Sequence, residues 1–185
     1  MQVFMTVNGA PQRISHIQHI HAGTACPTTA ADVNADGFVD VVEGVPAYGP
    51  ILVNLDSDLA SFDAGSTLFP KASAAGIYSY NEKTSFNSFL TDLQQPDQNP
   101  DDAIVKLGAG EVLNLASRHI VVHGVAMNTN LPTTVASLGD IPSHITLPVA
   151  CGTIARMTAA EQAVAQALMD NAGPTSSTGS VGGDH

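Results

Sequence analysis

Hydrophobic and polar residues alternate through Met1–Asn8, which predicts a strand. The pattern returns at His16–His21, where Ile17 and Ile20 interleave with polar residues. Asn8-Gly9-Ala10-Pro11 between them is turn chemistry, so the two strands are expected to be neighbours. Residues 26–50 are rich in Pro, Gly and Asp and read as loop, followed by a short apolar strand from Pro50 to Leu55 and another at Gly76–Tyr80. Residues 84–95 break the alternation. Phe86, Phe89, Leu90 and Leu93 fall at helical spacing, with Thr84 or Ser85 as N-cap and Pro96 as stop, so a short helix with one buried face is expected.

Alternation resumes at Ala103–Leu107, Glu111–Leu115 and His119–Val125, the last rich enough in Val and Ile for a core strand, and Ile145–Ile154 is the final strand expected. Thr158-Ala-Ala-Glu161 is a capping-box sequence, and Val164 with Leu168 predicts an amphipathic helix over 158–173, closed by Gly173. From Pro174 to His185 the Ser, Thr and Gly composition cannot bury enough apolar area to offset ordering, and a disordered tail is expected. No internal repeat is evident. The chain therefore reads as one mostly β domain over 1–157, with a helix and a tail behind it.

Charge narrows the function. With 185 residues the chain suits one domain, and its charged fraction of 12% is well under the typical value of about 25%. A net charge of -11 with 6 Lys and Arg argues against nucleic acid and anionic membranes as partners and favours cations. No apolar run is long enough to span a bilayer, so membrane insertion is not expected, and the first ten residues lack the basic and apolar regions of a signal peptide. Cys26 and Cys151 either remain as two buried thiols or pair. Paired, they would close a loop whose entropic stabilisation is about 4–5 kcal/mol, an upper figure.

One motif is specific. Asp32-Val-Asn34-Ala-Asp36-Gly37-Phe38-Val39-Asp40-Val-Val-Glu43 places oxygen-bearing side chains at positions 1, 3, 5, 9 and 12 of a calcium loop, with Gly at 6 and an aliphatic residue at 8. A hard cation takes about six to eight oxygens. Gly37 turns the backbone so that Phe38 offers its carbonyl, and Glu43 can close the shell with both oxygens. Pro27 before the loop, and Gly44 with Pro46 after it, predict that the flanking helices of an EF-hand are missing. The loop resembles the helix-poor calcium loops of extracellular modules, whose role is to pin a long segment.

His19-Ile20-His21 on a strand sets two imidazoles on one face, about 6.6 Å apart, a workable chelate for one metal. His16 has the opposite parity and is expected to pack or hydrogen-bond. His119 and His123 share a face but stand about 13 Å apart, so only one of them can reach that metal.

These blocks resemble copper/zinc superoxide dismutases. Val3–Gly23, with its strand, Asn8-Gly9 and His16-Ile-Gln-His19-Ile-His21, is similar to the family's third and fourth strands, and Thr24-Ala-Cys26 follows where its disulfide cysteine lies. Arg118-His-Ile-Val-Val-His123 is similar to the strand ending in a copper ligand, and Val149-Ala150-Cys151-Gly152-Thr-Ile154 to the last strand. The resemblance implies an all-β fold, a Greek-key β-barrel or sandwich with a long loop insertion at about 55–102 and the C-terminal helix. It also implies copper on His19, His21 and His123, a Cys26–Cys151 disulfide, and an extracellular or periplasmic location. It covers well under half the chain. No histidine lies between Cys26 and Arg118, so the family's bridging imidazole and zinc ligands have no counterparts, and Pro148 stands where its active-site arginine would. The chain starts where the third strand would, which leaves the first two strands to another segment, a partner or a homo-oligomer. His144, shortly before the last strand, is a candidate fourth ligand but more in keeping with a surface residue.

Three functions fit these residues. The first is an exported, dismutase-like metal-binding protein with copper on three histidines and calcium in its loop. The second is a copper-only superoxide dismutase. The third is a calcium-stabilised extracellular structural or adhesion module without redox activity.

Overall fold

The computed structural model describes residues 1–60, 62, 68–95 and 104–172. The expected Pro96 helix stop and the tail 174–185 lie outside the described residues. The described chain falls into two units, Met1–Ala155 and a C-terminal one from Arg156.

Among the described residues of the first unit six strands form two antiparallel sheets. One is a ribbon of β1 (Gln2–Asn8) and β4 (Ile77–Lys83). The other runs in the order β3-β2-β5-β6, from β2 (Gln18–His21), β3 (Ile51–Asn54), β5 (His119–His123) and β6 (Pro148–Thr153). Each pairing is antiparallel. Among the described residues no barrel is closed. Ile20, Val53, Leu55, Tyr80, Phe89 and Leu93 form the main core, with Val3 and Met5 of β1 packed against it. Two tyrosines of β4 stitch the ribbon to the rest. The Tyr78 hydroxyl donates to Oε1 of buried Gln18 at 2.9 Å, and the Tyr80 hydroxyl donates to the Asp56 carbonyl at 2.8 Å. Buried hydroxyls and amides need such partners, so these bonds fix which sheet positions face each other.

The stretch 55–102 is not a plain loop insertion. It supplies β4 and a helix, α2 (Phe86–Leu93), whose Phe89 and Leu93 are buried as the spacing predicts. Ser85 stands at the N-cap without a capping bond. Ahead of that stretch an unexpected helix, α1 (Val41–Tyr48), follows the acidic loop directly, so the expectation of no flanking helix is corrected on that side. Asp40 accepts bonds from the Val42 and Glu43 amides, while Glu43 reaches back to the Asp40 amide, a complete capping box that outweighs Pro46 inside the helix.

Two strand expectations fail and a third is shortened. Glu111–Leu115 is no strand: Gly110 and Asn114 have positive φ, and a single 3-10 turn forms at Leu115–Ser117, so Leu113 is buried as an anchor without a pairing partner. Of the expected strand ending at Leu107, Ile104 makes one isolated bridge to Ile51. The last strand begins at Pro148, not Ile145, because α3 (Ser143–Thr146) precedes it, and a proline without an N–H is tolerated at the start of a sheet-edge strand. Similarly, β2 begins at Gln18, and His16 before it is fully buried outside any strand.

The disulfide Cys26–Cys151 is formed. It fastens the segment ahead of the acidic loop to β6, and the two free thiols are excluded. In the second unit α4 (Ala159–Ala172) carries the expected box: the Glu161 carboxylate accepts from the Thr158 amide at 2.7 Å, and the Glu161 amide donates to the Thr158 hydroxyl at 3.2 Å. The apolar face expected from Val164 and Leu168 is not buried; they are 56% and 46% exposed. Among the described residues no helix is long and apolar enough to cross a membrane.

Candidate metal centre

β2 and β5 lie side by side, with His19 opposite Val121 and His21 opposite His119. Opposite residues of an antiparallel pair share a face, so His19, His21 and His123 all project from one side of the four-stranded sheet. Two irregularities re-aim them. The β2–β3 register shifts between Ile20 and His21, and the β5–β6 register shifts between Val122 and His123. As a result the three ring centroids stand 5.6, 5.7 and 6.0 Å apart. One ring nitrogen from each lies within 4.8 Å of the other two. Among the described residues this is the cluster of metal-ligating side chains that meets such a convergence.

The rings are prepared on one side and bare on the other. Nδ1 of His21 faces the Gly49 carbonyl at 2.7 Å, and Nδ1 of His123 faces the Thr146 carbonyl at 2.7 Å. A carbonyl can only accept, so each Nδ1 donates and each Nε2 keeps its lone pair. Those Nε2 atoms, with both nitrogens of His19, are buried without a hydrogen-bond partner. Three adjacent imidazoles with orphaned nitrogens are costly in a core unless something accepts their lone pairs. Burial pushes the pKa of His19 well down, with His123 and His21 adding to the effect. It pulls His21 and His123 down to about 4 against the opposing help of the Gly49 and Thr146 carbonyls. All three are therefore neutral at pH 7, the form that ligates a metal. Phe69 stands edge-on to His19 at 5.7 Å and Tyr48 to His21 at 4.5 Å, closing the centre with apolar walls.

The other described histidines lie outside this cluster. His16 bridges carbonyls: Nδ1 is 2.9 Å from the His123 oxygen and Nε2 is 2.9 Å from that of Pro11, with Tyr78 stacked on its ring. His119, the alternative to His123 by spacing, is buried but outside the triad. His144 bonds the Thr129 carbonyl at 2.7 Å and is not a fourth ligand. Arg118 is spent on the backbone, donating to the carbonyls of Ala22 and Leu113.

In the acidic loop the side chains fold onto their own backbone. Asp32 accepts from the amides of Asp36 and Gly37, Asn34 from Asp36, Asp36 from Phe38, and Glu43 from Val33 and Asn34. Ala35 and Gly37, at φ of 56° and 91°, allow the turns. The loop carboxylates do not converge as tightly as the histidines. Asp40 is 2% exposed, and beyond its capping bonds its second oxygen accepts the Ala136 amide at 2.7 Å. Asp36 accepts the Thr134 hydroxyl at 2.6 Å, a bond that lowers its pKa. The sequence points to the three histidines that cluster here but not to Tyr48, Phe69, Gly49 or Thr146, two of which act through backbone carbonyls that carry no side-chain signature.

Comparison with protein-family models, curated proteins and solved structures finds no match to this chain.

Proposed function

We propose that the chain is an exported metal-binding protein with a superoxide dismutase-like Greek-key arrangement, holding copper on His19, His21 and His123 and calcium in the loop from Asp32 to Glu43. The observation that carries the copper reading is the set of unpartnered, buried nitrogens facing one another while the opposite nitrogens of His21 and His123 are tied to carbonyls. A ligating histidine is oriented in this way by the bond its other nitrogen makes. The donor set is all imidazole, without a carboxylate or thiolate, which suits copper or zinc and disfavours magnesium and calcium. Copper, when bound, supplies one-electron redox chemistry.

The sheet order β3-β2-β5-β6, with β1 and β4 in the second sheet, supports the Greek-key reading: the chain leaves β3 for the other sheet and returns to lay β5 against β2. The disulfide suits an oxidising compartment. For calcium the support is the filled ligand pattern, with Asp32, Asn34, Asp36, the Phe38 carbonyl and Glu43 as direct ligands. Asp40, which is buried and caps α1, would act through water, as position nine of such loops often does.

Metal analysis of wild type beside the His19→Ala, His21→Ala double variant, after loading in copper and calcium, tests the reading. One copper and one calcium in the wild type, with only calcium in the variant, is the expected result. Equal copper in both proteins would remove the histidine site, and no calcium in either would remove the loop site. Superoxide turnover by the copper-loaded protein then separates an enzyme from a metal holder.

A further inference from the structure

The acidic loop and the histidine centre are joined by two chains of short contacts. The first runs through α1. Its N-terminus is built from the loop itself, with Asp40 as cap and Glu43 closing back onto Val33 and Asn34. Its other end rests on the histidines: the Tyr48 ring is 4.5 Å from that of His21 and 6.5 Å from that of His123, and the carbonyl of the next residue, Gly49, holds His21 Nδ1. There is little slack. A Cβ on Gly44 would stand 2.4 Å from the Tyr48 ring, one on Gly23 would stand 2.2 Å from the Tyr48 backbone, and the Gly23 amide donates to the Tyr48 carbonyl at 2.6 Å.

The second chain runs through residues 134–146. Asp36 holds the Thr134 hydroxyl and Asp40 the Ala136 amide. The neighbouring Ser137 hydroxyl is 2.8 Å from that of Thr146, whose carbonyl holds His123 Nδ1. Two of the three ligand rings are thus oriented by carbonyls tied to the loop carboxylates.

We propose that the loop and the triad are one cooperative unit, in which a calcium ion in the loop and a copper ion on the histidines each tighten the binding of the other. This rests on the two-ion reading above. In the cation-free loop like charges on Asp32, Asp36 and Glu43 oppose one another, held by backbone amides and, for Asp36, the Thr134 hydroxyl. A divalent cation removes that repulsion and fixes the start of α1, and with it Tyr48 and Gly49. Groups that orient metal-ligating histidines are typically worth about 10- to 100-fold in metal affinity, so fixing them first strengthens the centre. Linkage requires the reverse effect to be equal.

The test is the copper(I) affinity of the full chain, measured by competition with a chromophoric chelator. It is measured in buffer stripped of calcium on a resin and in the same buffer with saturating calcium, with magnesium as control. Calcium is also titrated calorimetrically into the copper-free and the copper-loaded protein. Copper binding about 5- to 150-fold tighter with calcium is expected, with the same factor in the calcium titration. The Asp32→Asn, Asp36→Asn double variant is expected to show the calcium-free copper affinity in both buffers, and Tyr48→Leu to shrink the ratio. Two ions that bind with independent affinities would overturn the coupling and leave the two-site reading standing. A protein that takes up no calcium in the calorimeter, or no copper in the competition, would overturn both.

Discussion

His21 and His123 each tie one ring nitrogen to a carbonyl and leave the other bare, and pH reads out their burial. His21 and His123 stay neutral in the folded protein down to about pH 4 because burial penalises their cations, whereas in the unfolded chain they protonate near 6.5. Between those values the unfolded state binds more protons. The stability of the metal-free protein is therefore fully present above about pH 6.5 and is lost as pH falls through about 4, by up to about 3 kcal/mol for each histidine. Denaturant unfolding of the metal-free wild type and His21→Gln across this window is the check: the variant should lose less stability on acidification, and parallel curves would remove the titration from the account. At this scale the sequence is legible. The sequence sets His19 and His21 on one strand face and His16 apart, although His16 is set apart by lying ahead of β2 and not by parity within it, and strand rise shows that His119 and His123 cannot both serve. It does not show that Gly49 and Thr146 would aim the rings, because any residue has a carbonyl.

At the scale of elements the informative case is α1. Gly44 and Pro46 cost about 1 and about 3 kcal/mol in a helix interior, which is why the segment reads as loop. Yet Asp40-Val-Val-Glu43 is itself a capping-box spacing, and it is the signal that could have revealed the helix. Tyr48 then needs the space at Gly44. Two effects of Gly44→Ala oppose each other. Helix propensity alone favours alanine by about 1 kcal/mol. The 2.4 Å approach to the Tyr48 ring, which is wholly buried and pinned by its bond to the Val41 carbonyl, costs about 1–3 kcal/mol as overpacking does. Net destabilisation is expected, with weakened copper binding as Tyr48 is pushed toward His21. A stabilised variant with unchanged copper affinity would mean that Tyr48 yields freely. The misread strand at Glu111–Leu115 teaches the complementary lesson: its alternation marks where Leu113 is buried, but alternation says nothing about whether a partner edge is free.

For the molecule as a whole, the two ends of the first unit carry what the sequence makes legible: β1, β2, β5 and β6 fall close to their expected positions along the chain, although β1 pairs with β4 in the other sheet and not with β2 as expected, and the disulfide joins the cysteines that the resemblance implies. The middle is less legible because its order depends on long-range bonds such as Tyr78 to Gln18 and Asp40 to Ala136, which leave no periodic trace. The disulfide is where the whole-chain scale can be tested. Its cysteines are 125 residues apart, and the loop it closes contains the acidic loop, the ribbon strand β4 and the strand β5 that carries His123. Opening it in a Cys26→Ser, Cys151→Ser variant releases the unfolded chain rather than breaking a folded contact, at a cost of about 4–5 kcal/mol as an upper figure. The folded centre should survive, because His21 and His123 keep their carbonyl partners in either case. Urea unfolding should therefore show a lower midpoint with a steeper slope, since the uncrosslinked denatured state exposes more surface. Copper affinity measured well below the transition should be unchanged. A loss of copper affinity in the folded variant would instead make the disulfide part of the metal centre, acting through the segment between Cys26 and the Gly23 amide that holds the Tyr48 carbonyl.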